Sequence, residues 1–80
     1  MTLNELQGLH HVIPFRPFTI HLADGRAYNV PHRDFLSYSP NGGRTVIVYG
    51  KGDSFSVLDM LLVTDLVVHQ TTGASNGQQA

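Results

Sequence analysis

"FTIHLADGRAYNV", residues 18–30, decides how this chain folds. Phe18, Ile20 and Leu22 alternate with Thr19, His21 and Ala23, the period-two pattern of a half-buried strand. Asp24-Gly25 supplies the turn, and Arg26 to Val30 runs back. A two-residue Asp-Gly turn would pair Leu22 with Ala27 and Ile20 with Asn29, spoiling the apolar face. A three-residue loop, Ala23-Asp24-Gly25, with Gly25 left-handed in a G1 bulge, instead pairs Ile20 with Tyr28 and Phe18 with Val30. That register keeps one face apolar and is the one expected.

Working back toward the N-terminus, "PFRPF" (14–18) reads as a proline-stiffened connector that brings Phe15 and Phe18 to the core. Before it, "MTLNELQGLHHVIP" reads as one short helix. Thr2 and Glu5 form a capping box. Leu3, Leu6 and Leu9 recur at three-residue spacing, with Val12 or Ile13 continuing the stripe. Pro14 stops the helix, because the residue before a proline is pushed out of the helical region. Two or three turns do not hold in water alone, so this helix must dock.

Working forward, "NVPHRDFL" (29–36) contains His32-Arg33-Asp34, the three letters that open a protein-kinase catalytic loop. A kinase needs an asparagine five residues after that aspartate, where this chain has Ser39. It also needs a glycine-rich phosphate loop, a partnered lysine and a metal-binding aspartate, in a much longer fold. Pro31 cannot donate to a ladder, so pairing should stop there. His32-Arg33-Asp34 is expected to be a solvated turn that returns Phe35 and Leu36 to the core.

"LSYSPNGGRTVIVYG" (36–50) reads as strand, turn and strand around Pro40-Asn41-Gly42-Gly43. After the turn "GKGDS" (50–54), "FSVLDMLLVTDLVVH" (55–69) is too β-branched for a comfortable helix and suits two consecutive strands. A short break, a single 3₁₀ turn, is expected between Met60 and Asp65, where Thr64-Asp65 interrupts the apolar run. The expected class is mainly β: a short N-terminal helix followed by a five-stranded antiparallel small barrel, closed so that no edge is left exposed.

Composition sets further bounds. Eighty residues allow one domain, and a domain so small buries only about 60% of its unfolded surface. Residues 1–69 are expected to form it. Gln70 to Ala80, "QTTGASNGQQA", has no charge and no apolar side chain larger than alanine, so a disordered tail is expected there. A formal net charge of −1 offers no basic surplus for nucleic acid. The chain has no cysteine, which removes disulfides, thiolate metal sites and cysteine nucleophiles. No apolar run approaches a membrane span and no signal peptide is evident, so a cytoplasmic location is expected.

The order of elements is similar to that of Sm-like barrels and their SH3-like relatives. Bacterial Sm-like proteins carry a Lys-His pair in the RNA-binding loop, whereas the corresponding stretch here, "LDMLLVTD", has neither residue. "RPFTIHLADGRAYNVPHRDFL", with "VTDLVV" near the end, resembles a group of short bacterial proteins of uncharacterised function. Arg16-Pro17-Phe18, Asp24-Gly25-Arg26, His32 and Asp34-Phe35 carry that pattern, with Arg33 where proline is common in the group. The resemblance implies a fold and no activity.

No motif points to an enzyme. Hydrolysis would need a nucleophile elbow and a cleft, and neither is evident. His10 and His11 are adjacent on a helix and point about 100° apart, too far to clamp one ion, and no His-x-His or His-x-x-x-His spacing occurs. A tertiary grouping of His21 with His32 or His69 stays open. No metal, no cofactor and no catalytic residue is therefore expected. In "RTVIVYG", Val46 and Val48 point one way while Thr45, Ile47 and Tyr49 point the other; in "DLVV", Leu66 and Val68 oppose Val67. Strands apolar on both faces call for a second covering surface. The expected function is a non-enzymatic module acting through self-association or a protein partner, with Ile47 and Val67 as interface candidates. The alternative is an Sm-like RNA binder using Arg26, Arg33, Arg44 and Tyr38 as phosphate and stacking contacts.

Overall fold

A computed structural model of the chain describes residues 2–39 and 41–69. The tail expected at Gln70 to Ala80 lies outside these residues, as does Pro40 of the 40–43 turn. The chain runs from helix α1 (Leu3–His11) into β1 (Phe18–Leu22) and β2 (Ala27–Val30), then through a 3₁₀ turn at Arg33–Phe35. Strands β3 (Leu36–Tyr38), β4 (Thr45–Tyr49) and β5 (Phe55–Asp59) follow. A second 3₁₀ turn at Met60–Leu62 leads into β6 (Val63–Val68).

The first hairpin has the expected register. Phe18 faces Val30 and Ile20 faces Tyr28. Gly25 has φ of 94°. Its amide donates to Leu22 O at 3.0 Å, and the Leu22 amide donates to Arg26 O at 2.9 Å, which closes the loop. A Cβ at Gly25 would meet no atom within 4 Å, so backbone conformation alone opposes a side chain there. Gly25→Ala is therefore expected to destabilise by about 1 kcal/mol through left-handed strain. Urea denaturation reads this directly, and an unchanged midpoint would remove the strain.

The strands form two antiparallel three-stranded sheets, ordered β2-β1-β6 and β3-β4-β5, not one closed barrel. The described residues contain six strands, one for each segment read as a strand in the sequence, so the expected total of five was one too few. The seams explain why the barrel is not closed. Pro31 has no amide to donate and the 3₁₀ turn at Arg33–Phe35 reverses the chain, so β2 and β3 become separate strands in different sheets. The Met60–Leu62 turn separates β5 from β6 in the same way. This is the anticipated break; Thr64 and Asp65 lie inside β6, but the pairing does shift at Thr64, which is skipped between Asp65 opposite His21 and Val63 opposite Leu22. The extra residue makes a bulge on β6 opposite His21 and Leu22 of β1.

One buried cluster serves both sheets and the helix. It contains Leu6 from α1, Phe18, Ile20, Leu22 and Val30 from the first sheet, Leu36, Val46, Val48 and Leu58 from the second, and Met60 and Val63 from the second seam. Leu3, Leu9, Phe15 and Phe35 pack partly against it. The apolar stripe of α1 is shorter than expected: the helix ends at His11, and Val12 and Ile13 are exposed, Ile13 at 87%. At the N-terminus, the Thr2 amide and hydroxyl donate to Glu5 Oε1 at 2.9 and 2.8 Å. The Thr2 amide is the main cause holding the Glu5 carboxyl below its ordinary value. No described helix is long and apolar enough to cross a membrane.

Candidate functional site

The turn at residues 32–34 is not wholly solvated, because Arg33 holds the helix. Its Nε donates to His10 O at 2.9 Å and its Nη2 to Val12 O at 2.8 Å. Its guanidinium lies 5.3 Å from the centroid of the Phe15 ring. The last carbonyls of a helix have no partner within it and carry its negative end, so a cation with forked donors suits this place. His32 and Asp34 are exposed, and the Phe35 amide closes the turn on His32 O at 3.1 Å.

Tyr38 is engaged at the same place. Its hydroxyl lies 2.7 Å from His10 Nδ1 and 3.3 Å from His11 Nε2. His10 Nε2 lies 2.9 Å from Arg33 O; donating there leaves Nδ1 free to accept from Tyr38. Desolvation pushes the Tyr38 hydroxyl above its ordinary pKa, which keeps it a neutral donor. The two histidines thus converge on one tyrosine oxygen although they leave the helix at different angles.

The remaining two candidate nucleic-acid contacts close on nearby carboxylates. Arg26 Nε donates to Asp24 Oδ2 at 2.8 Å, and Arg44 Nη2 donates to Asp59 Oδ2 at 2.9 Å. The Arg26 amide, first, and its side chain hold the Asp24 carboxyl below its ordinary pKa. Asp59 is lowered by the Arg44 side chain and by the Leu61 amide, which donates to Oδ1 at 2.9 Å. The structure brings Arg33 and Tyr38 together around His10. Arg26 and Arg44 sit in different hairpins. These four do not form one basic surface.

The two interface candidates lie in different sheets and different surroundings. Val67 is on the outer face of β6 at 40% exposure. It faces Thr19, whose own other neighbour is Asn29. The buried Thr19 hydroxyl donates to Asn29 Oδ1 at 2.8 Å and lies 2.6 Å from His69 Nε2. The outer face of the first sheet is therefore polar around a single valine. Ile47 is different. Its partners are Val57 on β5 and Ser37 on β3, and next along the ladder Tyr49 faces Phe55. Ile47, Tyr49, Phe55 and Val57 thus share the outer face of β4 and β5. Phe55 and Val57 are 59% and 58% exposed, and the Tyr49 and Phe55 rings are 6.5 Å apart.

Phe55 and Val57 were not singled out from the sequence, and Tyr49 only as sharing a side with Ile47. The signal was present: the Gly50 to Ser54 turn, treated as the Asp24-Gly25 turn was, sets the pairing of residues 47 and 49 with 57 and 55. Among the described residues no three His, Asp or Glu side chains could together hold a metal ion. The grooves beside the sheets are open and shallow. One, lined by Phe15, Pro31, Arg33 and Asp34, encloses about 510 Å³, but its arginine is engaged by the helix.

No family model, no curated protein and no solved structure matches this chain.

Proposed function

We propose that this chain is a non-enzymatic module that works by self-association, through the outer face of β4 and β5. The single observation that carries this reading is the exposed group of Tyr49, Phe55 and Val57 beside Ile47. Exposed apolar side chains scattered singly are ordinary, whereas a contiguous set on one sheet face marks a contact surface. The strand order, β6-β1-β2 continuing through the first seam into β3-β4-β5, supports a kinship with SH3-like and Sm-like small barrels that is opened at two seams. A cytoplasmic place suits such a module. No observation favours the RNA-binding reading, since its four candidate residues are engaged within the chain.

The test is the mass in solution, by sedimentation or light scattering. A dimer or larger assembly is expected at micromolar concentration, little changed between low and high salt, because apolar burial does not depend on counterion release. Phe55→Asp should shift the protein to monomer, and Val67→Asp should leave the assembly in place. A monomeric mass at high concentration would overturn the reading. So would tight binding to single-stranded RNA that collapses as salt rises.

A further inference from the structure

We infer that the contact is made by β5 pairing antiparallel with β5 of a second copy, which joins two three-stranded sheets into one. This rests on the self-association reading and narrows its contact to the β5 edge, where Phe55 and Val57 of the outer face meet the second copy. Among the described residues the two sheets leave four strand edges open, and they are not equivalent. β2 is four residues long and ends at Pro31, β3 is three residues long, and β6 pairs beside a bulge and carries Asp65. Short strands, proline, bulges and charge are the devices that discourage edge pairing. β5 is five residues long and pairs with β4 without a register shift. It has no proline, and its one charge, Asp59, is neutralised by Arg44 at 2.9 Å. It is the least guarded edge.

The ladder parity says which backbone groups are open. The Gly50 amide donates to Ser54 O at 2.9 Å and the Met60 amide to Arg44 O at 2.8 Å. Residues 54, 56, 58 and 60 therefore turn their amides and carbonyls toward β4, and Phe55, Val57 and Asp59 turn theirs outward. Three outward residues at alternate positions define a self-complementary edge. With Val57 opposite Val57 of the second copy, Phe55 falls opposite the second copy's Asp59, and up to about six backbone hydrogen bonds form. A register centred elsewhere on these residues makes fewer. The side chains of Phe55 and Val57 then lie on one continuous outer face.

Size and charge suit a second copy. An aromatic side chain presents about 150–250 Å², so Phe55 at 59% exposure contributes on the order of 100 Å². With Val57 and the strand edge, each copy offers at most roughly 400 Å², about 800 Å² for the pair, the size of a weak and transient contact. A net charge of −1 per chain sets up little repulsion between copies.

The absence of cysteine allows a clean test with the full chain. In a hydrogen-bonded antiparallel pair the Cα atoms stand about 5.5 Å apart, inside the range a disulfide spans. Val57→Cys should give a covalent dimer on mild oxidation, about tenfold faster than Thr64→Cys on exposed β6. Val57→Pro removes only an outward amide, so the ladder to β4 keeps its bonds. It should leave the circular dichroism spectrum unchanged and weaken association on the order of tenfold or more. Equal cross-linking of the two thiols in a protein that does self-associate would overturn the β5 pairing and leave the self-association reading standing. Cross-linking of Val57→Cys only to a Leu66→Cys chain would do the same, making β6 the partner strand. A monomeric mass throughout would overturn both.

Discussion

Leu6→Ala is expected to destabilise the domain by about 3 kcal/mol, within the range measured when a buried leucine is cut to alanine. Leu6 has no exposed surface and is the only residue of α1 inside the buried cluster. Its removal takes away transfer free energy and leaves a cavity that the sheets, tied by their own ladders, do not fill. A domain of this size holds about 5 kcal/mol in total, so the change should bring it close to unfolding at room temperature. A thermal midpoint lowered by roughly 15 °C is the corresponding shift. The measurement is urea denaturation with the slope compared to wild type, because a lost helix dock would also lower the slope. A loss below about 0.5 kcal/mol would mean that the helix does not cover this core.

Arg33→Ala is expected to cost about 2 kcal/mol by a different route. The substitution releases the carbonyls of His10 and Val12 and removes the cation from the Phe15 ring. Bonds from a charged donor are each worth more than neutral ones, though water replaces part of the loss at this half-buried site. Arg33→Lys should recover less than half, since an ammonium cannot reach two carbonyls with a planar fork and stack as well. Leu6 and Arg33 anchor the same helix, at its middle and its C-terminal end. The double mutant should therefore lose less than the sum of the two, because an undocked helix has nothing further to lose. Full additivity would show that the two anchors act on separate elements. An Arg33→Ala protein with wild-type stability would show that the turn at 32–34 is solvated throughout.

These effects trace how much of the molecule was legible beforehand. The register of the first hairpin was readable because one alternative mixed polar and apolar partners and the other did not, and Gly25 could take the left-handed turn. The helix start was readable for a similar local reason, as Thr2 and Glu5 are three residues apart. The break at Met60–Leu62 was readable in place, though Thr64 and Asp65 suggested it should extend further. They proved compatible with β6 because both side chains lie on its exposed side.

Arg33 was unreadable, since its partners, His10 and Val12, are more than twenty residues earlier in the chain. The outward face of β4 and β5 was half readable. Alternation said that Ile47 and Tyr49 share a side, and the turn at residues 50–54 would have added Phe55 and Val57. It could not say that this side has no cover among the described residues, whereas the outer side of β1 has Thr19, Asn29 and His69 bonded over it.

The sequence by itself determined the local elements: which residues cap, turn, alternate and break, because those choices are set by neighbours a few residues away. Only the tertiary structure decided that the six strands part into two sheets, that a turn arginine holds a helix end, and that Ile47 rather than Val67 sits in an apolar surface. The physical reason is one of range. Hydrogen-bond parity and turn conformation are fixed along the chain, but closure, exposure and the partners of a long side chain depend on which segments are brought together in space.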